Sequence, residues 1–234
     1  MTKAGTIQAK GKKRLNTKTL VMLALLCAIS YVVMYISKTI FAPIRIAGFL
    51  TFDLKDVIIA IGGFMFGALP ALGISVVVSV LEMITVSSTG LYGLLMNVIS
   101  TAAFVCPAAY LYKKKHTLYG AVLGLVIGVV SMTVAMMLWN YIITPIYMDL
   151  DRSIVAGMLI PTFLPFNLIK AGMNAALTML LYKPIINGLR KAKLLPPSSN
   201  QAVKNKKLTV GTTLLALILL ASFVLLGLAL AGII

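Results

Sequence analysis

The chain has 234 residues, of which 60% are hydrophobic and 11% are charged, and its net charge is +16. This composition excludes an ordinary soluble domain, and repeated apolar runs of about 20 residues predict transmembrane helices. The positive charge does not indicate nucleic-acid binding, because most of the 21 Lys and Arg residues lie in short segments between apolar runs.

The N-terminal 18 residues are polar and basic, and they are interpreted as a cytoplasmic tail. The first span is predicted from Thr19 to about Ser37. It contains Ala24 and Ala28, and two small residues four positions apart let another helix approach closely.

A loop over the outer face is predicted for residues 38–51, which include Pro43 and cannot form a regular span. The second span then opens with Asp53, Lys55 and Asp56. Carboxylates suit the N-terminus of a helix, so at least one of them is expected to cap it.

The third span, residues 71–86, carries the only glutamate, Glu82, near its outer end, and the fourth, residues 91–112, contains Asn97. The fifth, residues 118–143, begins with three glycines four positions apart, a spacing typical of close helix packing. These are Gly120, Gly124 and Gly128. The same span ends with Trp139 beside Asn140.

A second external loop is predicted for residues 144–160, and the sixth span for residues 161–182. That span contains Asn167 and Lys170, which share one face of a helix because they are three positions apart. Lys170 would lie roughly 14 Å from the helix start, at about 1.5 Å per residue, and a charge near the bilayer centre costs about 2.5–3.5 kcal/mol. Snorkelling or structural pairing would explain it, but a ligand-facing role is the default for such a residue.

Residues 188–207 are predicted to be a basic cytoplasmic linker, and residues 208–234 an additional transmembrane helix without charge. Residues 19–187 would then form a six-helix membrane domain. With the N-terminus inside, most basic residues face the cytoplasm and all five acidic residues fall on the outer half. The C-terminus is accordingly expected outside a multi-pass protein of the cell membrane.

The sequence argues against an enzyme. It has one histidine, His116, and no HExxH, GxSxG or Walker A motif. Any ATP used for transport would be hydrolysed by another protein. The remaining candidates for ligand binding are amide, aromatic and charged side chains in the spans, which suit a neutral, flat heterocycle. They are Asn97, Asn140, Asn167, Lys170, Glu82 and Trp139.

Five stretches together resemble the substrate-binding S components of energy-coupling factor (ECF) vitamin transporters, especially their riboflavin-specific branch. The stretches, which span most of residues 20–187, are FLTFDLKDVIIAIGGFMFG, SVLEMITVSSTGLYGLLMNVIS, FVCPAAYLYKKKHTLYGAVLGLVIG, LWNYIITPIY and LPFNLIKAGMNAALTMLLYKP. Each stretch alone is unspecific, but their combination and order are not. The seventh apolar run departs from the six spans of that family.

The resemblance implies a six-helix bundle with an outer pocket under the first loop, where Asn140, Asn167 and Lys170 reach a bound flavin and Thr51 lies in or near the pocket. It implies that Ala24 and Ala28 dock on a transmembrane coupling protein, with two ATPase subunits as separate partners. The flavin would be the transported ligand, so no cofactor and no metal are expected.

Two points go beyond the resemblance. Because riboflavin is neutral, we expect Glu82 to balance the charge of Lys170.

Three alternative functions remain open from the residues. They are an S component for another vitamin, a secondary transporter or channel with Asp56, Glu82 and Lys170 as an ion relay, and a membrane scaffold. Internal repeats, common in secondary transporters, are not evident.

Overall fold

The computed structural model describes residues 16–115, 117–192 and 206–233. Within these ranges the chain forms eight α-helices and one π-helical turn, Leu159–Phe163. The helices are α1 (Thr17–Phe41), α2 (Lys55–Phe66), α3 (Ala68–Thr85), α4 (Gly90–Lys115), α5 (Leu118–Met148), α6 (Arg152–Met158), α7 (Leu164–Lys191) and α8 (Lys206–Leu230).

Most of these helices are suited to a membrane. Six helical segments of the described chain are long and apolar enough to cross one, namely α1, α3, α4, α5, the run from α6 through α7, and α8. The predicted all-α membrane bundle is therefore confirmed, and α8 forms where the sequence predicts the additional C-terminal helix.

The second predicted span is the exception. α2 has only 12 residues, or about 18 Å at 1.5 Å per residue, which is shorter than a hydrocarbon core of about 30 Å. It is instead the centre of the bundle: every residue from Lys55 to Phe64 is buried, and α1, α3, α4 and α7 surround it. Gly63 permits this packing, because a Cβ there would lie 2.9 Å from Val105 Cγ1.

The glycine row at the start of α5 packs against α4, so the close helix packing that the sequence predicts is confirmed. A Cβ on Gly124 would lie 2.8 Å from the carbonyl oxygen of Ala108, and one on Gly128 would lie 2.5 Å from that of Phe104. A side chain would collide with the α4 backbone at both positions. The two helices therefore approach closely only because these residues are glycine.

The predicted external loop of residues 144–160 is largely helical, so that prediction is wrong. α5 continues to Met148, the chain turns at Asp149 with φ 50°, and α6 begins at Arg152. The polar residues used for the prediction mark a surface turn of only a few residues. Within the run from α6 to α7, the π-helical turn contains Pro161.

α8 packs antiparallel on α7 and reaches the first loop. A Cβ on Gly172 of α7 would overlap the ring of Phe223, which therefore occupies the space above that glycine. Further along, Gly227 lies near Phe52 and Ile169, where a Cβ would be 3.6 and 3.7 Å from their side chains. The C-terminal half of α8 thus closes a second apolar cluster formed by the first loop and α7.

Two predicted segments fall mainly outside the described residues. Of the basic tail, residues 1–15 are not described, and of the linker, residues 193–205 are not described. His116 also lies outside the described ranges.

Candidate ligand-binding site

A cavity of about 490 Å³ opens at one end of the bundle. Its walls come from residues 42–53 of the first loop, the ends of α1 and α3, the start of α4, the second half of α5 and the start of α7. The lysine-rich ends of α4 and α7 lie toward the opposite end. Small-molecule sites usually measure about 300–1,000 Å³, so a compact organic ligand fits this volume.

The seven residues that the sequence singles out for ligand binding all line this one cavity. They are Thr51, Glu82, Asn97, Trp139, Asn140, Asn167 and Lys170. They come from the first loop and four helices, so the fold brings together side chains that are far apart in the chain. The location under the first loop also agrees with the pocket that the family resemblance implies.

The side chains of Asn167 in α7 and Asn140 in α5 both form hydrogen bonds to residues near them in the chain. Asn167 Nδ2 donates to the carbonyl oxygen of Phe163 over 2.8 Å, inside the π-helical turn. Asn140 Nδ2 donates to Met136 O over 2.7 Å, and its Oδ1 accepts from Thr144 over 3.0 Å. An amide has two N–H donors and two acceptor sites, so each side chain keeps hydrogen-bonding capacity for a ligand.

Lys170 is buried and forms an ion pair with Asp53, not with Glu82. Its Nζ lies 2.7 Å from Asp53 Oδ2 and donates a hydrogen bond to it. The predicted charge balance between Glu82 and Lys170 is therefore wrong, because the first loop places a closer carboxylate beside Lys170. The ammonium group has three donors, and Asp53 takes one of them.

Glu82 instead belongs to a buried polar network beside the cavity. Its Oε2 accepts from Lys55 over 2.9 Å, and its Oε1 accepts from Asn97 over 3.0 Å and from Lys38. Lys55 also donates to Asn97 Oδ1 over 3.1 Å and lies 3.3 Å from Asp53 Oδ1. Lys55 thus donates two hydrogen bonds and has Asp53 as an additional ion-pair partner.

The network brings equal numbers of basic and acidic side chains together. Three ammonium groups, on Lys38, Lys55 and Lys170, face the carboxylates of Asp53 and Glu82, and the buried carboxylate of Asp56 interacts electrostatically with Lys55 and Lys170. Buried charges are tolerated when they are paired and hydrogen-bonded, and Lys170 keeps two N–H donors for electron-rich ligand atoms. Carbonyl oxygens of a neutral ligand would accept from these donors.

The other walls of the cavity consist of aromatic rings and flexible apolar side chains. Tyr92 of α4 and Tyr147 of α5 lie with ring centroids 5.8 Å apart, and Phe166 packs 5.0 Å from Phe52. The apolar side chains that line the cavity include Phe49, Leu50, Val86, Tyr92, Met96, Met136, Trp139, Ile143, Tyr147 and Phe166. Rings and methionines suit the faces of a flat ligand whose edges carry polar atoms.

Sequence reasoning missed two basic residues at the cavity. Lys38, in the last turn of α1, lines the cavity and bonds to Glu82, and Arg45 of the first loop lines it as well. The sequence contained a signal for them, because both precede the second span, far along the chain from the clusters of basic residues that follow the fourth and sixth spans. A basic residue at this end of the bundle indicates either a local acidic partner or a ligand.

The carboxylates at the start of α2 do not cap that helix, so this prediction is wrong. The N-cap residue is Leu54, which offers no side-chain hydrogen bond. Asp56, in the first turn, accepts a 2.6 Å hydrogen bond from Thr101 of α4, and Asp53 pairs with Lys170. Both carboxylates bond to side chains of neighbouring helices, because other helices surround α2 and its start is not exposed to water.

The two alanines expected to dock a partner lie elsewhere. Ala24 and Ala28 are exposed on α1, about 15 Å or more along the helix from the cavity residue Lys38. Their exposure leaves a small-residue surface available at the bundle's periphery. Among the described residues, no group of three or more His, Cys, Asp or Glu side chains is arranged to hold a metal ion.

Comparison with known proteins identifies the fold and the family together. Residues 18–182 match the family described as ECF transporter, substrate-specific component. The chain belongs to this family. A solved structure described as the S component of a bacterial ECF transporter matches with a TM-score of 0.60 and 26% identity, over 73% of this chain and 96% of the other.

Curated relatives of this S component carry riboflavin in their names. The riboflavin transporter RibU of Streptococcus thermophilus is 30% identical over 73% of this chain and 83% of its own length. The riboflavin transporter FmnP of Bacillus subtilis is 28% identical over 77% of this chain and its own full length. The riboflavin transporter RibU of Staphylococcus aureus is 28% identical over 77% of this chain and 98% of its own length.

The family match confirms the resemblance inferred from the sequence. The protein is the substrate-binding component of a multi-pass membrane transporter. All cavity residues lie within the matched residues 18–182, whereas α8 lies outside them.

Proposed function

We propose that this S component captures riboflavin in the cavity at the outer face of the cell membrane. Import would then be driven by ATP hydrolysis in two separate ATPase subunits, coupled through a transmembrane ECF protein. Three relatives named as riboflavin transporters support the choice of ligand. The observation that carries the proposal is the set of Asn140, Asn167 and Lys170 along one cavity with aromatic walls.

The chemistry of the cavity fits a flavin ring system. The remaining donors and acceptors of Asn140 and Asn167 suit an edge where carbonyl and imide groups alternate. Lys170 would donate to a ring carbonyl while Asp53 holds its charge. The polar chain of the vitamin suits the hydroxyl-rich turn at residues 87–89. The contacts would be completed by Thr51, Asn97, Glu82 and Trp139.

The proposed orientation puts the cavity outside. Lys113, Lys114 and Lys115 end α4 at the opposite side of the bundle, and basic residues concentrate on the cytoplasmic side. The N-terminus would then be cytoplasmic and the end of α8 would lie outside. The exposed Ala24 and Ala28 would be contacts for the coupling protein within the bilayer.

The test begins with the protein purified alone in detergent and an absorbance spectrum of the small molecules it releases on denaturation. A flavin spectrum and saturable quenching of added riboflavin are expected. Lys170→Met should weaken riboflavin binding by roughly 1–3 kcal/mol, since a buried ligand acceptor would lose its partner. Lys114→Met, a matched change at an exposed position outside the cavity, should leave the affinity unaltered.

Two outcomes would contradict the proposal. If the wild-type protein binds another vitamin in a thermal-shift panel and does not bind riboflavin, the ligand assignment is wrong. If the purified chain alone accumulates a solute in vesicles under an ion gradient, it acts as a secondary transporter instead.

A further inference from the structure

Asp53 connects the first loop, α2 and α7 through a single buried side chain. It is 2% exposed and lies between Thr51, which lines the cavity, and the start of α2. Its Oδ2 accepts from Lys170 over 2.7 Å, while its Oδ1 lies 3.3 Å from Lys55. The carboxylate therefore divides its two oxygens between a cavity lysine and a network lysine.

The backbone around Asp53 is also hydrogen-bonded to neighbouring helices. Asn174 of α7 donates to the Asp53 carbonyl oxygen over 3.2 Å. The next residue, Leu54, donates its N–H to Ser37 of α1 over 3.1 Å. The end of the first loop is thus bonded to α1 on one side and to α7 on the other, which fixes the loop that roofs the cavity.

The hydrogen bond to Asp53 restricts the side chain of Lys170 to one orientation. A lysine side chain is long and has many rotamers, so an unpaired Lys170 would sample several positions inside the cavity. With Asp53 accepting one N–H, the ammonium group is held at the cavity wall and two donors remain. Preorganised donors bind a ligand more tightly because less freedom is lost on binding.

We propose that Asp53 is the positioning residue for ligand recognition in this S component: it aims Lys170 at the ligand and locks the first loop onto α7. This rests on the proposed function, because the ligand that Lys170 would meet is riboflavin. The role requires the negative charge of Asp53 and not only its shape. Asp53 is separated from Lys170 by 117 positions, and only the fold brings them together.

The experiment compares two Asp→Asn changes in the full-length protein. Asp53→Asn keeps the size of the side chain and removes its charge. Asp56→Asn is the control, because Asp56 is also buried but bonds to Thr101 and does not line the cavity. Riboflavin affinity, measured by fluorescence quenching, should fall roughly 10- to 100-fold in Asp53→Asn, since a charged donor loses its buried partner. In Asp56→Asn it should change less than about threefold.

A double-mutant cycle separates positioning from general structural damage. In a Lys170→Met background, Asp53→Asn should weaken riboflavin binding far less than it does in the wild type, since the group it positions is already gone. Infrared carbonyl bands of bound riboflavin provide a second measurement. They should shift in Asp53→Asn in the same direction as in Lys170→Met, and remain in place in Asp56→Asn.

Each outcome has a defined meaning. Failure of the wild-type protein to bind riboflavin refutes the proposed function itself. Normal riboflavin binding by Asp53→Asn, or equal losses in both backgrounds, refutes only the positioning role. If Asp53→Asn alone does not fold, the pair Asp53→Asn/Lys170→Met replaces it. It should be recovered as a monodisperse protein, because removing both charges leaves neither buried alone, and its affinity should match Lys170→Met. Failure to recover it would refute the role.

Discussion

Replacing Lys55 by methionine is the most direct test of the buried network, because this lysine is 1% exposed and does not line the cavity. Its ammonium group lies 2.9 Å from Glu82 Oε2, 3.1 Å from Asn97 Oδ1 and 3.3 Å from Asp53 Oδ1. The methionine side chain would fill similar space, but Glu82 and Asp53 would each lose one of their two lysine partners and keep only Lys38 and Lys170, respectively. Breaking a buried ion pair from one side costs about 3–5 kcal/mol. At about 2–4 °C per kcal/mol, the melting temperature should fall by roughly 6–20 °C.

Thermal unfolding of the purified protein in one detergent, at one scan rate, measures this loss. Lys114→Met is the control, since its exposed side chain should change the melting temperature by less than about 2 °C. The double variant Lys55→Met/Glu82→Gln should be less destabilised than the sum of the two single variants, because both charges of one pair are removed together. A melting temperature of Lys55→Met within about 2 °C of the wild type would show that the network does not stabilise the fold as described.

Two further changes test packing surfaces. Gly128→Leu should destabilise the protein by about 1–3 kcal/mol, since the new side chain would collide with Phe104 of α4, whereas Gly73→Leu, with no atom within 4 Å, should be tolerated in the same melting assay. Ala24→Leu combined with Ala28→Leu should leave riboflavin affinity of the purified protein intact but reduce uptake by cells that contain the complete transporter. Undiminished uptake would rule out these alanines as the docking surface.

Features that depend on local sequence were predictable. The length of apolar runs located five of the spans and α8, and the four-residue spacing of Gly124 and Gly128 identified a close helix contact, which α4 and α5 make. Polar residues inside apolar helices avoid lipid, so the amino-acid sequence alone assigned Asn97, Asn140 and Asn167 to the interior. The fold places all three along the same cavity.

Pairing between distant residues was not predictable. Buried cations and carboxylates near one another permit several combinations, and Glu82 was an equally reasonable partner for Lys170 until the first loop brought Asp53 within 2.7 Å. The short α2 was a different kind of error. The turn at Gly67, where φ is 96°, leaves only 12 helical residues before it, so the length itself argues against a span.

α8 changes what the lipid and other proteins meet around this transporter subunit. Because Phe223 sits over Gly172 and the end of α8 covers Phe52 and Ile169, that side of α7 is covered by a helix of the same chain. A partner protein could contact this side of α7 only if α8 were displaced. The surface that remains open to other subunits is the rest of the bundle, which includes the side of α1 that carries Ala24 and Ala28.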